Sequence, residues 1–279
     1  MRALEPEVVD AVFAAVEPLL PASQADRHPL GCHRRRVPDR ICLWAMLVRL
    51  VTGCSWVDAE QLVGNVVSDT TLRGRRDEWA EAGVFEALAD KMLAAYDEAV
   101  GLRLKEVCVD GSLHKAPCGG EGTGKSPVDR GKLGWKWSIA TDEAGIPIGW
   151  VCQAANRNDS MLLPDTLEEV AARGLLEGIE TLHLDRGYDT SAVRRHVAEI
   201  GIENLECAKQ RRTPAKGVKA PVPLGRRWLV ERTNSWLSNY GQLRRNTDRR
   251  SVHRRSQLAF VIGILLVAKL IDQDRRARA

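Results

Sequence analysis

At Lys105 the hydrophobic period of this chain changes, and that change constrains the fold more than any other feature. Before it, apolar residues recur at helical spacing. After it, Val107 and Val109 alternate with Cys108 and Asp110, the two-residue period of a strand. The pattern predicts further strands at 134–141, 146–152, 181–184 and 205–208. Helices are predicted at 160–173, 191–200, 226–240 and 254–271. Three strands followed by alternating helices and strands imply an α/β sheet, mixed in direction and covered by helices on both faces. The predicted division is a helical domain over 1–103 and an α/β domain over 104–279.

Within the first hundred residues, a helix over 5–17 is ended by Pro18 and Pro21. A second runs from a cap at Asp39 to Val51, with Gly53 after it. The segments 56–63 and 68–82 flank a Gly64-Asn65 turn, and a last helix spans 84–100. Two helices about a short glycine turn resemble a helix-turn-helix. Its second helix would offer Thr70, Thr71, Arg73, Arg75 and Arg76 to DNA; an ordinary helical hairpin is the competing reading.

Charge is distributed unevenly. Between Lys209 and Arg255 stand fourteen basic residues against Glu231 and Asp248, a net +12 that leaves −8 for the rest of a chain whose total is +4. Such asymmetry points to a polyanionic partner. The seven cysteines contain no CxxC pair, which argues against a zinc site of usual spacing and fits a reducing, cytoplasmic setting. The apolar run 258–267 is shorter than the ~20 residues a membrane crossing needs and reads as a buried helix, so no membrane partner is expected.

Three carboxylates stand out. Asp110 is predicted to end the first strand, in Val-Cys-Val-Asp-Gly-Ser. Asp185 follows the apolar strand Thr181–Leu184, and Glu231 lies on a helix in Arg-Arg-Trp-Leu-Val-Glu-Arg-Thr. Functional groups of open α/β sheets gather beyond the carboxyl ends of strands. Three converging carboxylates repel one another, and Mg²⁺ relieves that repulsion while keeping room for water and phosphate oxygens. Two such ions ~4 Å apart can serve both the attacking and the leaving oxygen of phosphoryl transfer. Each aspartate alone is more simply a loop or cap residue; the combination carries the reading.

The surrounding motifs are Val-Asp-Gly-Ser (109–112), Gly-Gly-Glu-Gly-Thr-Gly (119–124), Asp-Arg-Gly-Lys (129–132), Asn-Arg-Asn-Asp-Ser (156–160), Asp-Arg-Gly-Tyr-Asp (185–189) and Arg-Trp-Leu-Val-Glu-Arg (227–232). In this order they resemble the DDE transposases of bacterial insertion sequences, in the group of insertion-sequence families four and five. Val-Pro-Asp-Arg (37–40) and Thr-Gly-Cys-Ser-Trp (52–56) extend the resemblance into the helical part. The resemblance implies an RNase H-like catalytic fold, with Asp110, Asp185 and Glu231 as catalytic metal ligands for two ions of Mg²⁺ or Mn²⁺. It implies terminal inverted repeats and target DNA as double-stranded partners, a dimer or larger assembly on DNA, and work at the nucleoid. It also implies a signature of Tyr, two residues, Arg, three residues, Glu, six residues, Lys. Arg227 and Glu231 keep it, whereas Leu224 and Ser238 stand at the Tyr and Lys positions. Arg232, Arg244 or Arg245 would then take over the phosphate contact of the absent lysine, beside Lys125, Arg186 and Arg227. Two rivals remain at this level: a DNA-binding protein or inactive remnant, and an RNase H-like nuclease that cuts without joining.

Other residues read more plainly. Gly119 to Ser126 spells a Walker A string, but Pro127 and Asp129-Arg130-Gly131 continue it as a loop where a nucleotide-binding P-loop needs a helix, so no nucleotide is expected. Asn158 and Asp159 read as helix caps, with a supporting role near the metals as the alternative. Asp189 reads as the cap of the next helix. His114 and His183 read as packed or solvated histidines. The pairs Trp135/Trp137 and Trp228/Trp236 read as core.

Overall fold

A computed structural model describes residues 3–22, 36–208 and 226–278, so the basic positions Lys209, Arg211, Arg212, Lys216 and Lys219, and Leu224 of the signature, lie outside the described residues. The chain forms two compact units, one of residues 1–100 with 238–279, the other of residues 101–237. The sequence reading placed the division at 103/104, and the first boundary between the units falls at 100/101. The C-terminal segment, assigned from sequence to the α/β domain, instead joins the helices.

The first unit holds α1 (Pro6–Val16), α2 (Asp39–Thr52), α3 (Trp56–Leu62), α4 (Asp69–Glu81) and α5 (Val84–Val100). Its C-terminal part contributes α9 (Gly241–Arg244) and α10 (Ser251–Arg278). Asp39 is the first helical residue of α2, not its cap. Ser55 closes a capping box with Asp58 at the start of α3, and Ser68 caps α4 by accepting from the Thr71 N–H. Gly64 and Asn65 turn the chain between them with φ of 80° and 57°.

The run 258–267 is the middle of the longer α10, and its apolar side chains other than Leu265 are buried. By length and composition α10 could cross a membrane; here it is a core helix packed on α5. Phe85 and Phe260 meet at 4.5 Å between ring centroids, and Leu88 lies so close to Gly263 that a Cβ there would stand 2.9 Å from it.

The second unit is built on a six-stranded sheet of β1 (Glu106–Lys115), β2 (Gly124–Lys125), β3 (Leu133–Thr141), β4 (Pro147–Ala154), β5 (Thr181–Leu184) and β6 (Asn204–Cys207). Antiparallel β4-β3-β1 continues through the parallel neighbours β5 and β6, and the two-residue β2 pairs with the start of β3. Parallel pairing needs crossovers, here supplied by α6 (Leu163–Ala172) and α7 (Ser191–Glu199). The last helix of the unit is α8 (Trp228–Ser238). This strand order is the RNase H-like arrangement expected from the sequence.

Period-two alternation explains how helices cover both faces of β3. Trp137 points toward α8 and donates from Nε1 to Asn234 Oδ1 at 2.8 Å. Ser138 points the other way and meets Thr166 Oγ1 of α6 at 2.8 Å. Gly149 of β4 admits α6 closely, since a Cβ would lie 2.5 Å from a Val170 methyl.

One boundary is corrected. Asp110 does not end β1; the strand continues to Lys115 because pairing with β3 runs on to Lys115↔Gly134. Pairing with β5, however, stops at Cys108↔His183. Asp110 therefore stands just beyond the parallel ladder, where one side of β1 opens, and Asp185 directly follows the end of β5.

Candidate active site

The three carboxylates arrive from three elements of the second unit and meet at one guanidinium. Arg227 precedes α8 and places Nη1 3.1 Å from Asp185 Oδ1. Its Nη2 stands 3.2 Å from Glu231 Oε1 and 3.9 Å from Asp110 Oδ2. Glu231 reaches it because residues four apart share a helix face. Asp185 is oriented by accepting from the Arg186 N–H at 2.7 Å.

Burial pushes the Asp110 carboxyl up to about 6; Arg227 and the Gly111 N–H oppose the rise, while Asp185 and Glu231 add to it. Neighbouring anions within a few ångströms disfavour further charge, and a single arginine does not neutralise three of them. All three donors are hard oxygen ligands of the kind that suit Mg²⁺ or Mn²⁺. In the arrangement observed, no three His, Cys, Asp or Glu side chains among the described residues stand close enough together to hold an ion, and Arg227 lies between the carboxylates. The donor chemistry fits a divalent metal, and the arginine occupies the meeting point.

The remaining basic residues fall into two groups. Lys125 and Arg186 are exposed in the second unit. Arg244 and Arg245 are exposed in the first unit. Arg73 is half-exposed and paired with Asp69 at 3.0 Å.

Four residues keep other company than the sequence reading expected. Arg75 is only 5% exposed and is held by Asp39 and Glu78. Arg76 is bound to Asp248 at 2.6 Å. The expected DNA face of α4 is thus turned inward at two of its three arginines, because carboxylates distant in sequence claim them. Arg232 donates to the Ala144 carbonyl at 2.7 Å and stacks between Trp228 and Trp236, with ring centroids 4.8 and 4.7 Å away. It is already committed, and Trp228, expected in the core, is 46% exposed.

Other residues behave as packing or capping groups. His114 stacks on Trp137 at 3.7 Å between centroids, and burial lowers it to about 3, so it is neutral near pH 7. His183 is buried between Glu106 and Glu206. Trp135 and Trp137 are fully buried. Asn158 accepts from the Ser160 N–H as a cap. Thr190, not Asp189, caps α7; Asp189 pairs with Arg194. Residues after Lys125 form turns and not a helix, which removes the P-loop context of the Walker string.

Beside Asp110 lies a polar group of which the sequence reading named Asp159 but not Lys136. Lys136 is 3% exposed, and its Nζ donates to Asp159 Oδ1 and to the Arg157 carbonyl, both at 2.7 Å. Asp159 lies against the backbone of β1, so close that a Cβ on Gly111 would stand 2.3 Å from its Oδ1. Tyr188 is buried in the same neighbourhood. Burial raises its hydroxyl well above the ordinary range, and Asp159, Asp110 and Asp185 add to the rise. The usable signal was Lys136 itself, a lone charge in the strand Gly-Trp-Lys-Trp-Ser-Ile-Ala-Thr.

Comparison with known proteins adds family context. Residues 102–267 match the family described as "Transposase DDE domain", and residues 8–89 match one described as "Putative transposase of IS4/5 family". A Burkholderia cepacia protein described as "Putative transposase for insertion sequence element IS402" is 38% identical over 137 residues, which cover 46% of this chain and 61% of that protein. The chain thus spans about three fifths of that relative. An uncharacterized 16.2 kDa protein of insertion element IS402, also from Burkholderia cepacia, is 31% identical over 123 residues, covering 44% of this chain and 82% of that protein. Among solved structures, a Mos1 transposase paired-end complex with left transposon end aligns over 89% of this chain and 82% of that one, at 10% identity and a TM-score of 0.27. A Mos1 mariner paired end complex with Mn aligns over 88% and 82%, at 12% identity and the same TM-score. At that score the fold assignment rests on the strand order and the family match.

Proposed function

The chain belongs to the transposase DDE domain family, and from that premise we propose that it is a transposase that cuts the ends of a mobile DNA element and joins them to target DNA. The observation that carries the reading is the convergence of Asp110, Asp185 and Glu231 on one point just past the parallel strands of the sheet. In this reading the three carboxylates are the ligands of divalent metal, Mg²⁺ or Mn²⁺, two ions per site. Bound there, the metal supplies Lewis-acid activation of the attacking oxygen and charge neutralisation at the phosphate.

The chain's own residues do the rest. The sheet and α8 fix the carboxylates on rigid elements, which limits reorganisation during reaction. Lys125, Arg186 and Arg227 are the cations of this unit that meet backbone phosphate, an affinity that falls as salt rises. In the first step water attacks the phosphodiester at the element end, and the 3′ oxygen leaves as a hydroxyl. In the second, that hydroxyl attacks a target phosphodiester and displaces the target's own 3′ oxygen. Two ends must be held for joining, so the working form is a dimer or larger assembly on double-stranded DNA, in the bacterial cytoplasm.

The deciding experiment uses the whole chain and a plasmid carrying the gene's own flanks, with Mg²⁺ or with EDTA. Metal-dependent end cutting and joined products are expected for the unaltered protein, with activity lost by about 10³-fold or more in Asp185→Asn, on the scale of removing a principal electrostatic group. Cutting without joining would instead establish a nuclease. Flank binding with no cutting under any metal would establish a DNA-binding protein.

A further inference from the structure

Arg227 occupies the place a metal would need. Three side chains carrying up to three negative charges surround its one positive charge, at 3.1, 3.2 and 3.9 Å. The contacts use both terminal nitrogens and leave Nε buried without a hydrogen-bond partner. An arginine that served only Glu231, four residues away on the same helix face, would have no reason to reach β1 and β5 as well. Its planar fork suits such bridging, because one guanidinium can address several carboxylates in fixed geometry.

We infer that Arg227 is a resident counter-ion and positioning residue of the metal-free cleft, which gathers Asp110, Asp185 and Glu231 and must give up its place when divalent metal binds. The inference rests on the proposed metal reading of these carboxylates and adds a competition to it. Any ion entering the cleft must break contacts that already stabilise it, so the arginine weakens metal binding while it keeps three anions in register. Once displaced, the guanidinium is free to pair with a DNA phosphate. Metal and DNA then favour each other, since each removes a competitor of the other, and such coupling is reciprocal by thermodynamic linkage.

The test uses the full chain without DNA, stripped of metal, with Mn²⁺ as the probe. Mn²⁺ binding is followed by calorimetry, and thermal unfolding is followed in EDTA and in Mn²⁺, for the unaltered protein, Arg227→Gln and Arg227→Lys. Removing the arginine is expected to tighten Mn²⁺ binding by about fivefold, the scale of a partly exposed charge pair worth about 1 kcal/mol. It is expected to lower the melting temperature in EDTA, and Mn²⁺ should then raise that temperature by more than in the unaltered protein. Arg227→Lys should fall between the two, since an ammonium keeps the charge but not the fork.

Unchanged or weaker Mn²⁺ binding in Arg227→Gln, with an unchanged melting temperature in EDTA, would overturn the inference. If neither protein bound Mn²⁺, the metal reading under the proposed function would fail. The EDTA melting difference would still decide whether Arg227 holds the carboxylates together.

Discussion

Each compact unit of this chain sets a partly or fully buried aspartate beside arginine, and the charge balance differs between them. In the helical unit, Asp248 receives Arg49 at 3.3 Å, Arg76 at 2.6 Å and the Gln257 amide at 2.6 Å, and Arg76 also meets Asp77 at 2.5 Å, so two cations face two anions. In the sheet unit, Arg227 alone faces Asp110, Asp185 and Glu231. Burial acts on both aspartates in the same sense, but the outcomes differ. At Asp248 it is outweighed by Arg49 and Arg76 and by the hydrogen bonds, which hold the carboxyl below its ordinary value. At Asp110 burial prevails and the carboxyl rises to about 6. Neutralised charge of the first kind is what a structural network needs. The unbalanced charge of the second kind is what the proposed metal reading requires.

The largest effect that would test this contrast is on Asp248. Asp248→Asn leaves the buried Arg49 without its counter-charge and Arg76 with Asp77 alone, and should cost about 3–5 kcal/mol of stability in denaturant unfolding. A loss under about 1 kcal/mol would show that the network is not the brace described.

At Asp110 the sign should reverse. In EDTA at neutral pH, Asp110→Asn should stabilise the chain by up to about 3 kcal/mol, the most that a rise of about two pKa units can return. The pH dependence follows from the raised value. Below about pH 4 the carboxyl is protonated folded or unfolded, so the variant should gain nothing there. The unaltered protein loses this contribution as pH rises through about 6, and the gap should open across that window. Asp248 should behave inversely, its contribution fading as pH falls below about 4. A destabilising Asp110→Asn in EDTA would break the comparison.

A smaller effect tests the brace behind the site. Gly111→Ala places a methyl 2.3 Å from Asp159 Oδ1 and should cost about 1–3 kcal/mol by overpacking. A Gly111→Ala loss that is smaller in an Asp159→Ala background than in the unaltered chain, read from the same unfolding curves, would locate the clash at that contact; equal losses in the two backgrounds would place it elsewhere.

Much of this molecule was legible in the sequence, for local reasons. Hydrophobic period is a property of neighbouring residues, so the helices of the first hundred residues and the succession of strands and helices along the second unit followed from it. Asp185 could be placed because it closes a short apolar strand, and Arg227 and Glu231 because four residues make one helical turn. Asp110 was placed on the right strand but at the wrong point along it, since β1 continues on one neighbour after leaving the other, and that depends on pairing partners the strand itself does not encode.

What only the tertiary structure decided was the company each charge keeps. Arg75 and Arg76 sit on a helix whose composition suggested a DNA face, yet Asp39 and Asp248 draw them inward. Arg232 was equally plausible as a phosphate contact until two tryptophans and a carbonyl took it. The helices after Ser238 likewise joined the first unit through apolar contacts that no local pattern announces. The physical reason is one of range. Periodicity and turn chemistry act over a few residues, whereas an arginine on its long stem pairs with whatever carboxylate the fold brings within reach. Position along the chain fixed which residues were available, and three-dimensional packing chose which of them would meet.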